Sequence, residues 1–388
     1  MLTPAPSPVV PIIIITGISL ALCWLGVLLA GLRLSGSLNE RILVIGGGPL
    51  ALRLIDEVAE HPSCRYQVIG VVDDSPDGRP TLAPWLGPLT RLGRIVDATR
   101  PSRIVVAQTE RRLRAPHGPL LEARRRGVKV EEAVTFLEHV TGKLAIEFLT
   151  PQSLILSDGF RHVECERSDL SQAIMRALSL AAAFVGLVVF APLLAAVAVA
   201  IKLDSPGPVF FVQKRIGRDG REFGLIKFRT MHHSNGWHSE WVRDNTDRIT
   251  RVGRWLRRFR LDELPQFVNV LRGEMNIVGP RPHPVSNYEL FLNRIPFYQM
   301  RTSVRPGITG WAQVRYGYAN GLDEEIEKMR YDLYYIKHRT LWFDLRILID
   351  TVVLLVSDRR SHETVRHPVP VPRWNEGWSP RASGVTLS

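Results

Sequence analysis

Arg257–Pro282 reads RRFRLDELPQFVNVLRGEMNIVGPRP. Two adjacent carboxylates, Asp262 and Glu263, follow closely on Arg257, Arg258 and Arg260. Leu264, Phe267, Val268 and Leu271 then fall at i, i+3, i+4 and i+7, the spacing of one apolar helix face. Gly273 stops that helix, and the turn Gly279-Pro280-Arg281-Pro282 carries one more cation. Two readings of the acidic pair compete. Asp is a favoured N-cap, Glu suits a first turn and Pro265 is tolerated there, so capping alone would account for it. Carboxylates ringed by arginines at a helix start also suit a site where a metal and a phosphate meet. The rest of the chain decides between them.

The chain of 388 residues is long enough for two or three domains. A formal net charge of +12 and an isoelectric point near 10 call for anionic partners: nucleic acid, anionic lipid or phosphorylated substrates. Cys23, Cys64 and Cys165 are scattered, odd in number and without a CxxC pair, which excludes a disulfide framework and a cysteine-based zinc site.

Two apolar stretches set the compartment. Ile12–Leu32 holds 21 residues without a charge, enough to cross a bilayer. No charged side chain precedes Arg33, whereas Arg33, Arg41 and Arg53 follow, so positive-inside logic puts the N-terminus outside and the remainder in the cytoplasm. A cleaved signal peptide would need the basic leading segment that is missing here. Ala177–Ile201 is the second stretch, 25 residues with Pro192 inside. From Lys214 to Arg260 there are 13 Lys or Arg against 5 Asp or Glu, which argues for the cytoplasmic side again. Arg176 before and Lys202 after the stretch fit two ends on one face, and Pro192 would break the helix. The expectation is a re-entrant helical hairpin over 173–203, with a kinked full span as the alternative.

Between these stretches, residues 41–140 alternate strand and helix. Arg41–Ile45, Gln67–Val72, Arg103–Ala107 and Gly127–Val130 read as strands, with helical runs to Glu60 and over Gly118–Arg126. That order predicts a doubly wound, Rossmann-like α/β domain with a parallel sheet. Gly46, Gly48 and Ala51 fit G-x-G-x-x-A after a strand, and Asp73 or Asp74 stands where a ribose would be met. The same glycine turn is needed merely to pack strand on helix, and a regulatory or assembly role is preferred. Tyr66 is the segment's only tyrosine and Gly70 stands four residues on, so the Tyr-x-x-x-Lys pair of a dehydratase is missing.

After the second apolar stretch, Asp204–Pro208 forms a turn, and extended pieces at Val209–Phe211 and Phe223–Phe228 flank Gly217-Arg218-Asp219-Gly220. Lys214, Arg215, Lys227 and Arg229 alternate with Ile216, Phe223, Ile226 and Phe228, and partly buried cations need anions. His232, His233 and His238 lack the partners of a zinc site. Trp237, Trp241 and Trp255 read as interfacial anchors. Tyr331–Tyr335 and Leu341–Val356 read as helices that pack on the core or lie at the interface. The proline-spaced tail from Ser357 is expected to be disordered.

Three motifs, KRIGRDGREFGLIKFRTM (Lys214–Met231), LDELPQFVNVLRGEMNIVGPRP (Leu261–Pro282) and RPGITGWAQV (Arg305–Val314), resemble the bacterial sugar transferases. These are the polyprenyl-phosphate hexose-1-phosphate, or monotopic phosphoglycosyl, transferases. The resemblance runs from about Asp169 to about Val356, and the N-terminal half is similar to the Rossmann-like domain of the family's longer members. Ala191-Pro192 stands where the family has Ser-Pro, and Gly273-Glu274-Met275 where it often has Gly-Asp-Met.

The resemblance implies transfer of a sugar 1-phosphate from a UDP-sugar, glucose or galactose being the guess, to undecaprenyl phosphate in the bilayer. UMP would be released at the cytoplasmic face of the inner membrane, initiating exopolysaccharide or other surface glycan assembly. It makes Asp262 the nucleophile and Glu263 a ligand of Mg²⁺, with Lys214, Arg215, Lys227, Arg229, Arg257, Arg281 and Arg305 as phosphate contacts. Nucleic acid is not an expected partner, and a homo-oligomer is compatible with this reading. The expected order is an N-terminal transmembrane helix (1–40), Rossmann-like domain (41–150), linker (151–172), re-entrant hairpin (173–203), α+β catalytic domain (204–356) and tail (357–388). Rival readings are a membrane-tethered NAD-dependent nucleotide-sugar dehydratase and a non-enzymatic basic membrane module.

Overall fold

The computed structural model describes residues 40–60, 66–74, 82–107, 117–148, 169–232, 248–295, 297–317, 319 and 321–357. The apolar stretch Ile12–Leu32, His233, Trp237, His238, Trp241 and the tail beyond Ser357 lie outside them, as does most of the expected linker. The chain divides into two compact units, Met1–Phe136 and Leu137–Ser388.

In the first unit five strands form one parallel sheet: β1 (Glu40–Ile45), β2 (Tyr66–Val72), β3 (Trp85–Gly87), β4 (Arg103–Val106) and β5 (Lys129–Glu132). Their order is β3-β2-β1-β4-β5, with helices α1 (Pro49–Glu60), α2 (Leu92–Thr99) and α3 (His117–Arg125) in the crossovers. Ile42–Ile45 are fully buried, which is why the central strand reads as an unbroken apolar run instead of an alternating one. This is the expected doubly wound α/β pattern. Strand β5 begins two residues later than its sequence suggests because Gly127, at φ +87°, sits in the left-handed conformation that ends α3. The short β3 and the helix α2 carry too few periodic residues to stand out beforehand.

Helix α4 (Ala133–Thr141) straddles the boundary between units. The second unit then holds α5 (Asp169–Asp204), a hairpin of β6 (Phe210–Ile216) and β7 (Glu222–Phe228), α6 (Arg251–Arg258), α7 (Gln266–Leu271), β8 (Asn276–Val278), α8 (Val285–Arg294), β9 (Gly307–Thr309), α9 (Trp311–Arg315), α10 (Leu322–His338) and α11 (Leu341–Ser357). Its main core gathers Met329, Leu333, Tyr335 and Ile336 of α10 with Phe291, Tyr298, Trp311 and Ile347. Helix α10 is therefore the internal post of this unit, as its tyrosine-rich sequence suggests. Helix α11 packs Ile347 inward and leaves Trp342, Leu345, Ile349, Val352 and Val353 exposed.

The break expected at Pro192 does not divide α5, which is a single helix of 36 residues with the proline inside. A proline removes one hydrogen bond and kinks a long helix; packing on either side of it can hold the two segments as one element. Ala183 packs against Val270 and Met275, while Val197 and Ile201 pack against Phe228 and Leu256. Arg176 near the N-terminus of α5 donates to the carbonyls of Val270 (2.6 Å) and Met275 (2.7 Å), and Asp204 at its C-terminus accepts from the Val252 amide (3.1 Å). Both ends are thus held by one body. Phe184, Val185, Val188, Val189 and Val199 remain exposed, and the helix is long and apolar enough to cross a membrane.

Helix α7 corrects the sequence in another way. The apolar stripe of Leu264, Phe267, Val268 and Leu271 is only partly covered, and the fully buried positions are Gln266, Asn269 and Val270. Asn269 is the reason: its amide donates to the Gly224 carbonyl (2.7 Å) and Glu274 (2.6 Å) and accepts from the Ile226 amide (3.0 Å). It bonds α7 to the side of β7, so the polar face turns inward. Phe267 instead meets α5 at Gly186, where an added Cβ would lie 2.8 Å from its ring. Replacing Asn269 by the isosteric Leu strands a buried amide and carbonyl, so thermal unfolding of the detergent-solubilised Asn269→Leu variant should show a loss of about 2–3 kcal/mol. An unchanged melting temperature would contradict this account of α7.

Candidate active site

Thr250 caps α6, its hydroxyl accepting from the Gly253 amide at 2.9 Å, and the helix ends at Phe259. Arg260 then takes a left-handed conformation (φ +54°), unusual for a residue with a Cβ, and reverses the chain into a tight turn over Leu261–Glu263. That turn delivers the acidic pair at the entrance to α7. Neither carboxylate caps the turn or α7 through a side-chain hydrogen bond, so the capping reading fails.

The two carboxylates have different surroundings. Glu263 is buried and gripped in bidentate fashion by Arg281, at 2.6 and 3.3 Å, with the Lys227 ammonium at 3.8 Å. Burial alone would raise its carboxyl, but Arg281 and Lys227 outweigh it and hold the group at about 2. Among the described residues Asp262 receives no hydrogen bond or ion pair. Burial and the charge of Glu263 raise its carboxyl above the usual range, partly offset by Lys227, Arg281 and Arg257. Neighbouring carboxylates pushed apart in this way are suited to separate tasks, one fixed as an anion and one left to react. Burial, followed by repulsion from Arg281, lowers Lys227 to about 8.

Of the expected phosphate contacts, Lys227, Arg257 and Arg281 surround this pair, and Arg215 lies near enough to act on Lys227. Arg257 donates through Nε to Thr230 (3.0 Å), and Arg215 to the Pro282 carbonyl (2.9 Å). The other three are elsewhere. Lys214 pairs across the hairpin with Gly224, Arg215 with Phe223 and Phe211 with Lys227, so the two-residue period puts Lys214 on the face opposite Arg215 and Lys227. It meets Glu222 there, largely exposed. Arg229 spends its terminal nitrogens on Ser205 and the Pro206 carbonyl, tying β7 to the turn after α5. Arg305 donates to the Gly273 carbonyl (3.0 Å), just past the C-terminal end of α7, whereas Glu263 precedes the N-terminal end.

In the first unit Gly46 takes φ +104° at the end of β1, and the Gly47 amide donates to Asp73 at 3.0 Å. The Asp73 carboxylate also takes the Asp74 amide, and Asp74 takes that of Leu89. Both acids beside Gly46 and Gly48 therefore tie the loops of their own sheet together. No group of three or more His, Cys, Asp or Glu among the described residues is placed to hold a metal ion. Glu263 is the expected metal ligand at this site, and a cation there would draw its remaining oxygens from a ligand or water.

Residues 170–358 match the family model described as bacterial sugar transferase. A UDP-glucose:undecaprenyl-phosphate glucose-1-phosphate transferase of Escherichia coli is 31% identical over 87% of this chain and 73% of its own length. The chain belongs to the bacterial sugar transferase family. A UDP-N-acetylgalactosamine-undecaprenyl-phosphate N-acetylgalactosaminephosphotransferase of Aeromonas hydrophila is 46% identical over 47% of this chain and 44% of its own length. A glucose-1-phosphate transferase from Caulobacter vibrioides is also 46% identical, over 48% of this chain and 71% of its own. Against relatives such as the Aeromonas protein and one from Xanthomonas campestris, the chain spans less than half of their length.

The second unit also holds a buried polar cluster that its sequence did not announce. His283 meets the Tyr298 hydroxyl through Nδ1, and its Nε2 lies 3.1 Å from Lys328 and 3.2 Å from Glu325. Arg301 pairs with Asp332 at 2.7 Å beside them. His283 follows the Pro-Arg-Pro turn directly, which was the one available signal; Arg301, Glu325, Lys328 and Asp332 come from distant segments with no shared spacing.

Lys227 carries a pH signature. An anionic ligand favours its ammonium form, which is lost as pH rises through about 8, so affinity for a diphosphate-bearing probe such as UDP should fall above that pH. Calorimetric titrations from pH 6.5 to 9.5 should show a drop approaching tenfold per unit above the break. The break should be absent in Lys227→Arg, and a profile shared by both proteins would assign it to another group.

Proposed function

We propose that this chain transfers a sugar 1-phosphate from a UDP-sugar to undecaprenyl phosphate and releases UMP. Family membership supports the reaction class, and the unengaged Asp262 carboxylate inside a nest of cations is the observation that carries the mechanism. The reaction brings two polyanions together, so like charge must be offset before a carboxylate can approach phosphorus.

Asp262 attacks the sugar-bearing β-phosphorus through one carboxylate oxygen. An Asp262 O–P bond forms, the bridging P–O bond to the α-phosphate breaks, and UMP leaves with the electron pair. Lys227, Arg257 and Arg281 would offset the negative charge that develops on the phosphoryl oxygens and leaving group. A phosphate oxygen of the polyprenyl acceptor then attacks the aspartyl phosphosugar, forming the sugar diphospholipid and returning the free carboxylate. Mg²⁺ would be held by Glu263, whose oxygens keep lone pairs beyond those that Arg281 uses, and would supply further charge neutralisation while the Asp262 carboxylate stays free to attack. Arg281 and Lys227 fix Glu263 as an anion for that purpose.

The acceptor is a lipid, and the second unit has an apolar surface suited to meeting a bilayer. Besides α5, exposed apolar side chains occur at Phe210, Phe211 and Val212 of β6 and at Trp255, which stacks on Phe259. With both ends of α5 held by one body, attachment to the cytoplasmic face of the inner membrane along the exposed side of this undivided helix fits better than a full crossing. Glucose or galactose remains the proposed sugar. The NAD-dependent dehydratase reading finds no support in the residues of the first unit.

Membranes containing the protein, incubated with undecaprenyl phosphate, Mg²⁺ and a panel of UDP-sugars, should release UMP from at least one donor. Asp262→Asn should lower that rate at least about a thousandfold, as loss of a nucleophile does. An Asp262→Asn protein with more than about a tenth of wild-type activity would overturn the assignment.

A further inference from the structure

Four consecutive carbonyls in the turn that carries Arg281 are each held by a separate donor. Pro280 accepts from the Gly307 amide (2.9 Å), Arg281 from the Arg301 guanidinium (2.7 Å), Pro282 from Arg215 (2.9 Å) and His283 from the Ile216 amide (3.0 Å). Pro280 and Pro282 have no N–H to offer, so carbonyls are the handles by which this turn is fixed. A cavity lined by Ile216, Arg281, His283, Tyr288, Arg301 and Val304 adjoins it, so side-chain packing leaves the turn room to shift.

Arg301 is the donor that touches the carbonyl of Arg281 itself. Its Nε is paired with Asp332 of α10 at 2.7 Å, a second nitrogen faces the Tyr298 hydroxyl at 3.4 Å, and all three residues are buried. Such a pair is costly to desolvate, and an apolar pair of like volume commonly serves stability as well. An apolar pair could not reach the Arg281 carbonyl.

We propose that Arg301, anchored by Asp332 on α10, is a positioning residue that clamps the backbone of Arg281 so that its guanidinium meets Glu263 beside Asp262. The inference rests on the transferase reading for its kinetic readout. Helix α10 thereby contributes to the reaction without touching substrate, through one ion pair and one carbonyl. The neighbouring Tyr298, His283, Lys328 and Glu325 back the clamp from behind.

The test is a double-mutant cycle in the full chain, with rates scaled to folded protein. Asp332→Asn loosens the anchor, and Arg301→Lys keeps a charge near Asp332 but loses the arm that reaches the Arg281 carbonyl. Each should lower kcat/KM about tenfold while the protein still melts cooperatively. In an Arg281→Lys background, which no longer offers a bidentate guanidinium to position, either change should cost less than about twofold more. Losses that multiply in the double variants, or single variants as active as wild type, would overturn the clamp. If Arg281→Lys turns over too slowly to measure, the same cycle is read on UDP affinity by calorimetry. A wild-type protein that releases no UMP from any UDP-sugar would count against the transferase reading, and the UDP cycle would then decide the clamp by itself.

Discussion

The bidentate contact between Arg281 and Glu263 is the interaction on which the rest of the site depends. Lys227, Arg257 and Arg281 converge on a partly buried volume, where their mutual repulsion is weakly screened. One fixed anion makes that convergence tolerable, and Glu263 is that anion. Because Glu263 takes the Arg281 and Lys227 contacts, Asp262 has no hydrogen-bond or ion-pair partner among the described residues, the condition that the proposed nucleophile requires. The adjacency of Asp262 and Glu263 thus gives two chemical roles within one turn.

The surrounding architecture serves to bring separate segments to that contact. The hairpin supplies Lys227 and Arg215 from one face by strand alternation. The left-handed Arg260 reverses the chain between α6 and α7, so that Arg257 and Asp262 end up close together. Arg176 and Arg305 cap the carbonyl end of α7, anchoring the helix at the end away from the chemistry. Buried α10 sets the Pro-Arg-Pro turn from behind.

How much of this could be read beforehand follows from the range of each interaction. The parallel sheet was legible because Ile42–Ile45 and the other buried strands are local apolar runs. The acidic pair and Lys227, Arg257 and Arg281 were legible because they lie in compact motifs. What failed did so for identifiable reasons. Counting cations could not separate Lys214 from Arg215, since the face of a strand depends on the hairpin register. Arg229 and Arg305 have the right charge but bond to carbonyls of their own fold. The inward face of α7 is set by the tertiary hydrogen bonds of Asn269, which override an apolar periodicity that pointed the other way. Arg301 and Asp332 are 31 residues apart and meet only in the folded unit.

The central claim is that the unpartnered carboxylate of Asp262 becomes covalently attached to phosphorus. Its most direct test is mass spectrometry of the wild-type protein after brief incubation with the UDP-sugar donor and Mg²⁺ in the absence of lipid acceptor. The account predicts a mass increase equal to one sugar phosphate less one water, located by peptide mapping on Asp262 and discharged when undecaprenyl phosphate is added. An adduct on another residue, or UMP release that requires the acceptor and leaves no adduct at all, would contradict it.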